Sequence, residues 1–279
     1  MKKACVIGWP ISHSRSPIIH NYWLSQYRIG GHYDIIPVQP DDLPDFLTSL
    51  RQRGYEGCNV TIPHKESAFR LIGDIDEEAA DVGAVNTVYF RSGLIRATST
   101  DGEGFLRNLQ TQVPDLQLAN RKAAILGAGG SSMAVIAALL KQDVPEIQVF
   151  NRTIEKSQAL RHRFGGRVKP QSWESRHKNI ADCGLLVNTT SLGMNGQPPL
   201  DIDLSALPDH AVVNDIIYTP LQTQLLHDTA RRGLIAVGGL GMLLHQAVRG
   251  FELWFGVRPV VSDELHDLVA RHIDPSHCR

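Results

Sequence analysis

The chain has 279 residues, of which 42% are hydrophobic and 20% charged, enough apolar material for one large or two medium cores. With 28 Lys and Arg against 29 Asp and Glu, the formal net charge is −1, which excludes a global field drawing the protein to nucleic acid or membrane. No apolar stretch approaches the roughly 20 residues of a membrane span. Cys5, Cys58, Cys183 and Cys278 have neither ligand nor framework spacing and read as reduced thiols. The opening MKKACVIGWP breaks at Gly8-Trp9-Pro10, too early for a signal peptide, so a soluble cytoplasmic protein is expected.

Along the first hundred residues, short β-branched runs at Ala4–Ile7, His32–Val38 and Cys58–Val60 read as strands. Helical patterns at Pro17–Tyr27, Asp41–Arg53 and Pro63–Ile72 lie between and after them. Val85–Phe90 and Leu94–Thr98 flank Arg91-Ser92-Gly93, a hairpin signal. Asp101–Leu109 reads as a connecting helix. A second series follows: strands at Ala123–Leu126, Ile147–Phe150, Arg167–Lys169, Leu185–Asn188, Val212–Asp215 and Leu234–Val237, most separated by helices. The last forty residues are helical, and the apolar periodicity of Met242–Trp254 needs a surface to pack on, expected to be the first unit. The pattern predicts a two-domain α/β protein with parallel sheets and a cleft between its units, the second being a Rossmann-type doubly wound fold.

Ala123-Ala124-Ile125-Leu126-Gly127-Ala128-Gly129-Gly130-Ser131-Ser132 is a strand, a glycine turn and a helix start. Gly127 permits the tight turn, and Gly129 lets backbone approach a pyrophosphate seated on N–H groups at the helix start; the alternative is a plain tight turn. The third fingerprint position is Ser132, small enough for helix–strand packing. An NAD site places an acid at the end of the next strand to hold the ribose 2′-hydroxyl. Here the chain reads Asn151-Arg152-Thr153, and an Arg pairs with a 2′-phosphate that a carboxylate would repel. NADP is therefore favoured over NAD. Lys156 either reinforces this contact or is solvated.

Four segments of the first unit carry polar residues. Ser12-His13-Ser14-Arg15-Ser16-Pro17 can cradle a carboxylate or cap a helix. Thr61 and Lys65 stand at the carboxyl end of a strand, where open α/β sheets bind ligands, although a lysine there also suits a solvated helix start. Asn86 puts an amide in an otherwise apolar strand, and Asp101 is a helix cap or a reactive carboxylate. His13, His20 and His64 lack ligand spacing, so packing or capping is expected and no metal.

The chain resembles the shikimate dehydrogenases. The matching motifs are Ser-His-Ser-x-Ser-Pro with His20-Asn21, Asn59-Val60-Thr61-x-Pro63-x-Lys65, Gly83-Ala84-x-Asn86-Thr87 and Thr100-Asp101-x-x-Gly104. They continue with Gly127-Ala128-Gly129-Gly130, Asn151-Arg152-Thr153, Asn188-Thr189-Thr190-Ser191-x-Gly193-Met194, Asp215-x-x-Tyr218-x-Pro220 and Gly239-Leu240-Gly241-Met242-Leu243-x-x-Gln246, all in the family's order. The resemblance implies residues 1–101 as the substrate-binding and catalytic domain, joined by helices of 239–279, and 102–238 as the NADP-binding domain. It implies that Lys65 and Asp101 are the catalytic pair. Ser14 and Ser16, helped by Tyr218, would bind the substrate carboxylate, and Thr61, Asn86 and Gln246 its ring hydroxyls. Gly127, Ala128, Gly129, Gly130 and Ser131 would face the pyrophosphate, and Asn151, Arg152 and Thr153 the adenosine phosphate. Thr189, Met194, Gly239 and Met242 would lie on the nicotinamide side. The implied reaction is reversible NADPH-dependent reduction of 3-dehydroshikimate to shikimate, in aromatic amino acid biosynthesis, by a monomer or homodimer.

Two departures stand out. The family usually has Asn where Ser99 precedes Thr100-Asp101, which loosens the aim of Asp101. Its glycine loop commonly carries an Arg where this chain has Met133, leaving Arg152 as the main phosphate clamp. Competing readings are a quinate/shikimate or aminoshikimate dehydrogenase, a non-catalytic NADP-binding regulator, and, less well matched by motif, a folate dehydrogenase. Both serines and Arg152 count against the quinate/shikimate reading, Ser99 and Met133 keep the aminoshikimate reading open, and the Lys65 and Asp101 pair counts against the regulator.

Overall fold

Apolar runs and amphipathic stretches alternate to form two sheets in the computed structural model, which describes residues 1–276; Cys278 lies outside the described residues. The chain divides into two units, Met1–Gly104 with Leu244–Val269, and Phe105–Leu243 with the residues from Ala270 on.

In the first unit, β1 (Lys2–Gly8), β2 (Gly31–Pro37) and β3 (Tyr55–Val60) are parallel strands linked through α1 (Ser16–Gln26) and α2 (Leu43–Ser49). Helices α3 (Lys65–Leu71) and α4 (Glu77–Val82) precede the hairpin of β4 (Thr87–Arg91) and β5 (Leu94–Thr98). The strand order is β2-β1-β3-β4-β5. The expectation of a parallel sheet holds only for the first three strands, because β3–β4 and β4–β5 are antiparallel. For β4–β5 the cause is local: Ser92 and Gly93 adopt φ of 51° and 83°, and such a two-residue reversal joins only antiparallel neighbours. Helix α4 went unread in the sequence, although Asp76 caps it by accepting from the Ala79 N–H at 3.1 Å and Gly83 ends it at φ 72°.

Helix α5 (Asp101–Gln112) starts in this unit. Late in the chain, α9 (Leu240–Phe255) returns most of its length to it, its buried face carrying Phe251 and Trp254. The Trp254 Nε1–H donates to the Val88 carbonyl at 2.9 Å. A Cβ on Gly57 would lie 2.1 Å from that carbonyl oxygen and 2.2 Å from the indole nitrogen, so only glycine lets the ring seat there.

His20 lies in the same aromatic cluster, stacked on Tyr33 at 4.1 Å between centroids and near Trp23, Phe251 and Trp254. Complete burial lowers its pKa from 6.5 to about 3, the nearby Asn59 side chain acting in the opposite sense. The unfolded chain therefore binds a proton at His20 that the folded chain refuses between those two values. Stability contributed above pH 6.5 is lost as pH falls toward 3, by about 2 kcal/mol at pH 5. His20→Phe is expected to flatten the difference in urea stability between pH 7 and pH 5 by about that amount. An unchanged pH dependence would rule out His20 as its source.

The second unit holds β6 (Lys122–Leu126), α6 (Gly130–Lys141), β7 (Ile147–Asn151), α7 (Ile154–Phe164), β8 (Val168–Ser172), β9 (Cys183–Asn188), β10 (Val212–Asp215), α8 (Gln224–Arg231) and β11 (Ile235–Val237). The strands are all parallel in the order β11-β10-β9-β6-β7-β8, the doubly wound arrangement expected from the sequence. Pro170 is accommodated because β8 is an edge strand. Helix α10 (Asp263–Ile273) closes the described chain.

Candidate active site

In the first unit, chain direction switches at β1, which has β2 on one side and β3 on the other, so the loops after β1 and β3 leave the sheet's carboxyl edge in different directions. Thr61 extends β3 by one residue, donating its N–H to the Ile7 carbonyl at 3.0 Å. A Cβ on Gly8 would sit 2.7 Å from Thr61 Cγ2, so glycine lets the two loops meet. Ser14 and Ser16 lie on the other loop, where Ser14 Oγ accepts from the Ser16 N–H at 3.3 Å and Ser16 is buried. That bond makes both serines part of the local turn that opens α1.

A tight turn from Thr61 to His64, with N–H to carbonyl at 2.8 Å, places Lys65 at the first residue of α3, two residues later than the sequence suggested. The buried His64 ring bonds the Val38 carbonyl through Nε2 at 2.8 Å. The Lys65 carbonyl accepts from the Val85 N–H at 3.1 Å. So anchored, Lys65 donates through Nζ to Asp101 Oδ2, at the first residue of α5. The side chains are only 25% and 15% exposed, unlike a solvated helix start. The other Asp101 oxygen accepts from Asn86 Nδ2 at 2.7 Å. Asn86 in turn accepts the Thr100 N–H at 2.9 Å and lies 3.4 Å from Gln246 Oε1. Lys65 and Asn86 thus aim Asp101 through its two oxygens.

In the second unit the switch falls between β6 and β9. Gly127 has φ 103°, and a Cβ there would stand 3.0 Å from Thr189 Oγ1 and Thr190 Cγ2. Thr189 Oγ1 donates to the Leu126 carbonyl at 2.7 Å, tying the two loops together. Added Cβ atoms on Gly129 and Gly130 would meet no protein atom within 4 Å. Helix α6 begins at Gly130 without a side-chain cap or an acid in its first turn, so its leading N–H groups and positive end are available to an anion. Ala128 packs against the core, Ser131 is half-buried, and Ser132 is buried with its hydroxyl donating to the Gly129 carbonyl at 2.6 Å. That bond explains how a serine fits the third fingerprint position.

At the end of β7, Asn151 Nδ2 donates to the Thr153 carbonyl at 2.8 Å, shaping the turn that exposes Arg152 and Thr153. Arg152 forms no ion pair among the described residues, and a dinucleotide 2′-phosphate fits such a free guanidinium. Met194 is 37% exposed in the loop after β9. Gly239 must be glycine because a Cβ would lie 2.2 Å from the Ile216 carbonyl oxygen. Met242 is buried in the core of the second unit and offers little surface.

A residue given no role in the sequence also emerges. Asp215 is fully buried, accepting from Asn188 Nδ2 at 3.0 Å, the Ile217 N–H at 3.1 Å and Thr223 Oγ1 at 2.7 Å. Burial raises its pKa, and these donors act against that rise. It braces the loop carrying Tyr218 against the one that follows Asn188. Asp215 and Asn188 both end strands, a signal that could have found them.

Comparison with known proteins decides the family. A profile of the shikimate dehydrogenase substrate binding domain matches residues 6–88, one of shikimate / quinate 5-dehydrogenase residues 108–194, and one of the shikimate 5′-dehydrogenase C-terminal domain residues 239–261. A curated shikimate dehydrogenase (NADP(+)) of Rhodopseudomonas palustris is 53% identical over 274 residues, covering 98% of both chains. The chain belongs to the shikimate dehydrogenase family. A crystal structure of the family's Thermus thermophilus enzyme, in complex with NADP(H) and shikimate, is 32% identical with a TM-score of 0.86. It covers 98% of this chain and 100% of its own. A quinate dehydrogenase of Corynebacterium glutamicum in complex with NAD is 28% identical with a TM-score of 0.87, covering 96% of this chain and 99% of its own. Backbone similarity therefore does not separate shikimate from quinate enzymes within this family.

Of the residues singled out in the sequence, Lys65, Asp101, Asn86 and Gln246 meet in one network. Ser14 and Ser16, where the loop after β1 enters α1, and Thr61, just past β3, form no hydrogen bond to that network among the described residues, and Tyr218 belongs to the second unit. The glycine loop, Thr189, Tyr218 and Gly239 all follow carboxyl ends of strands of the second sheet.

Proposed function

We infer that the chain catalyses the reversible NADPH-dependent reduction of 3-dehydroshikimate to shikimate. The observation that carries this reading is the part-buried Lys65 and Asp101 pair, held by Asn86 at the carboxyl edge of the first sheet. It is supported by about half-identity to curated NADP-dependent relatives over nearly the whole chain. Ser14 and Ser16 bind the substrate carboxylate, joined by Tyr218, while Thr61, Asn86 and Gln246 orient the ring hydroxyls. Gly127 to Ser131 hold the pyrophosphate on the start of α6, Asn151 to Thr153 hold the 2′-phosphate, and Thr189, Met194 and Gly239 flank the nicotinamide, with Met242 packed in the core behind them.

NADPH supplies the hydride that reduces the C3 carbonyl carbon. As that carbon gains the electron pair, negative charge develops on its oxygen, and the Lys65 ammonium is the donor placed to meet it. Asp101 keeps Lys65 aimed through Oδ2 and accepts from the product hydroxyl. In the reverse direction the same pair receives the hydroxyl proton. A cytoplasmic location fits this reading. Purified protein given shikimate and NADP+ should form NADPH; absence of shikimate-dependent reduction would sink the reading.

A further inference from the structure

We propose that Tyr33, Asn59 and Thr87 are positioning residues, forming a one-way hydrogen-bond chain that fixes how Asn86 presents its amide to Asp101. The inference rests on the catalytic reading of Asp101 and extends it to buried residues bonded behind Asn86.

The chain's direction follows from the chemistry of its first member. Tyr33 is 1% exposed, and burial pushes its phenol well above the usual range, so its hydroxyl stays protonated and donates. Its acceptor is Asn59 Oδ1 at 2.5 Å. That bond assigns the Asn59 amide: Nδ2 faces β4, donating to the Asn86 carbonyl at 3.1 Å and to Thr87 Oγ1 at 3.2 Å. With its oxygen engaged as an acceptor, Thr87 turns its proton to Asn86 Oδ1 at 2.9 Å. The Thr100 backbone N–H, which can only donate, reaches the same oxygen. Asn86 is left one orientation, with Nδ2 toward the Asp101 carboxylate. A flipped amide would set an oxygen against that carboxylate and leave two donors facing an NH₂ group.

Tyr33, Asn59, Asn86 and Thr87 are each at most 6% exposed, so water cannot replace a lost link. Buried networks of this kind act strongly only when every member is satisfied. The chain runs from the edge strand β2 through β3 and β4, coupling that edge of the first sheet to the first residue of α5.

Thr87→Val keeps the side-chain shape and removes the proton, whereas Thr87→Ser keeps the proton. With folded protein, Thr87→Val should lower kcat for shikimate oxidation about tenfold, the weight of roughly one hydrogen bond, and leave KM for NADP+ within about twofold. Thr87→Ser should recover most of the loss. A role in packing alone would lower thermal stability without this split or this rescue. Wild-type kcat in folded Thr87→Val, or a Thr87→Ser variant as slow as Thr87→Val, overturns the inference. If Thr87→Val does not fold, Tyr33→Phe carries the test from the far end, with a loss of about threefold expected and wild-type kcat overturning it. Wild-type enzyme assayed alongside separates the two levels: no turnover there defeats the catalytic reading and this inference with it, whereas normal turnover with unaffected variants defeats the inference alone.

Discussion

Lys65→Ala lowers kcat about a hundred- to ten-thousand-fold, the range for removing a positioned acid–base group. KM for shikimate is expected to change little, because the proposed carboxylate contacts of Ser14 and Ser16 lie on another loop and the lost contact matters most as charge develops. The size of the effect follows from the surroundings of the amine. It is three-quarters buried, its backbone is tied to Val85, and its neighbour His64 is tied to Val38, so another cation cannot readily take its place. Lys65→Arg separates the two parts of the role. It keeps a positive charge but cannot deliver a proton, since a guanidinium does not deprotonate in proteins. Steady-state kinetics check both variants, and a kcat near wild type in Lys65→Ala contradicts the assignment.

Arg152→Ala lowers kcat/KM for NADP+ about ten- to a hundredfold and leaves the value for NAD+ nearly unchanged. An arginine–phosphate bond is charge-assisted on both sides, while the ribose hydroxyl of NAD+ gives the guanidinium nothing comparable. The effect is concentrated on one residue because the glycine loop continues as Ser131-Ser132-Met133, with no second cation. Arg152 is exposed and forms no ion pair among the described residues, so its removal orphans no carboxylate there. Equal losses with both cofactors would show that the residue shapes the turn instead of reading the phosphate.

The two α/β units were legible because period and punctuation agree in them. Ala123–Leu126 of β6 is an apolar run ending in a glycine turn, and the strands after it recur, most with helices between. The mixed character of the first sheet was implicit in Ser92-Gly93, since a two-residue turn already demands antiparallel neighbours. Helix α4 escaped because six residues give less than two turns of periodicity, and only its cap and terminal glycine mark it. Lys65, Asp101 and Asn86 could be named through their motifs, but their bonding could not. The Asn86 amide is oriented from Tyr33, which is distant in sequence, and pairing across a sheet leaves no local period to read. Ser132 broke the glycine fingerprint in sequence and proved compatible in space, because its hydroxyl finds the Gly129 carbonyl within the same turn.

The most direct test of the account is kcat/KM measured for purified protein with shikimate and with quinate, each paired with NADP+ and with NAD+. Shikimate with NADP+ should be the best of the four pairs, with loss of the 2′-phosphate costing about tenfold or more. No turnover of shikimate with NADP+, or a preference for quinate with NAD+, would contradict it.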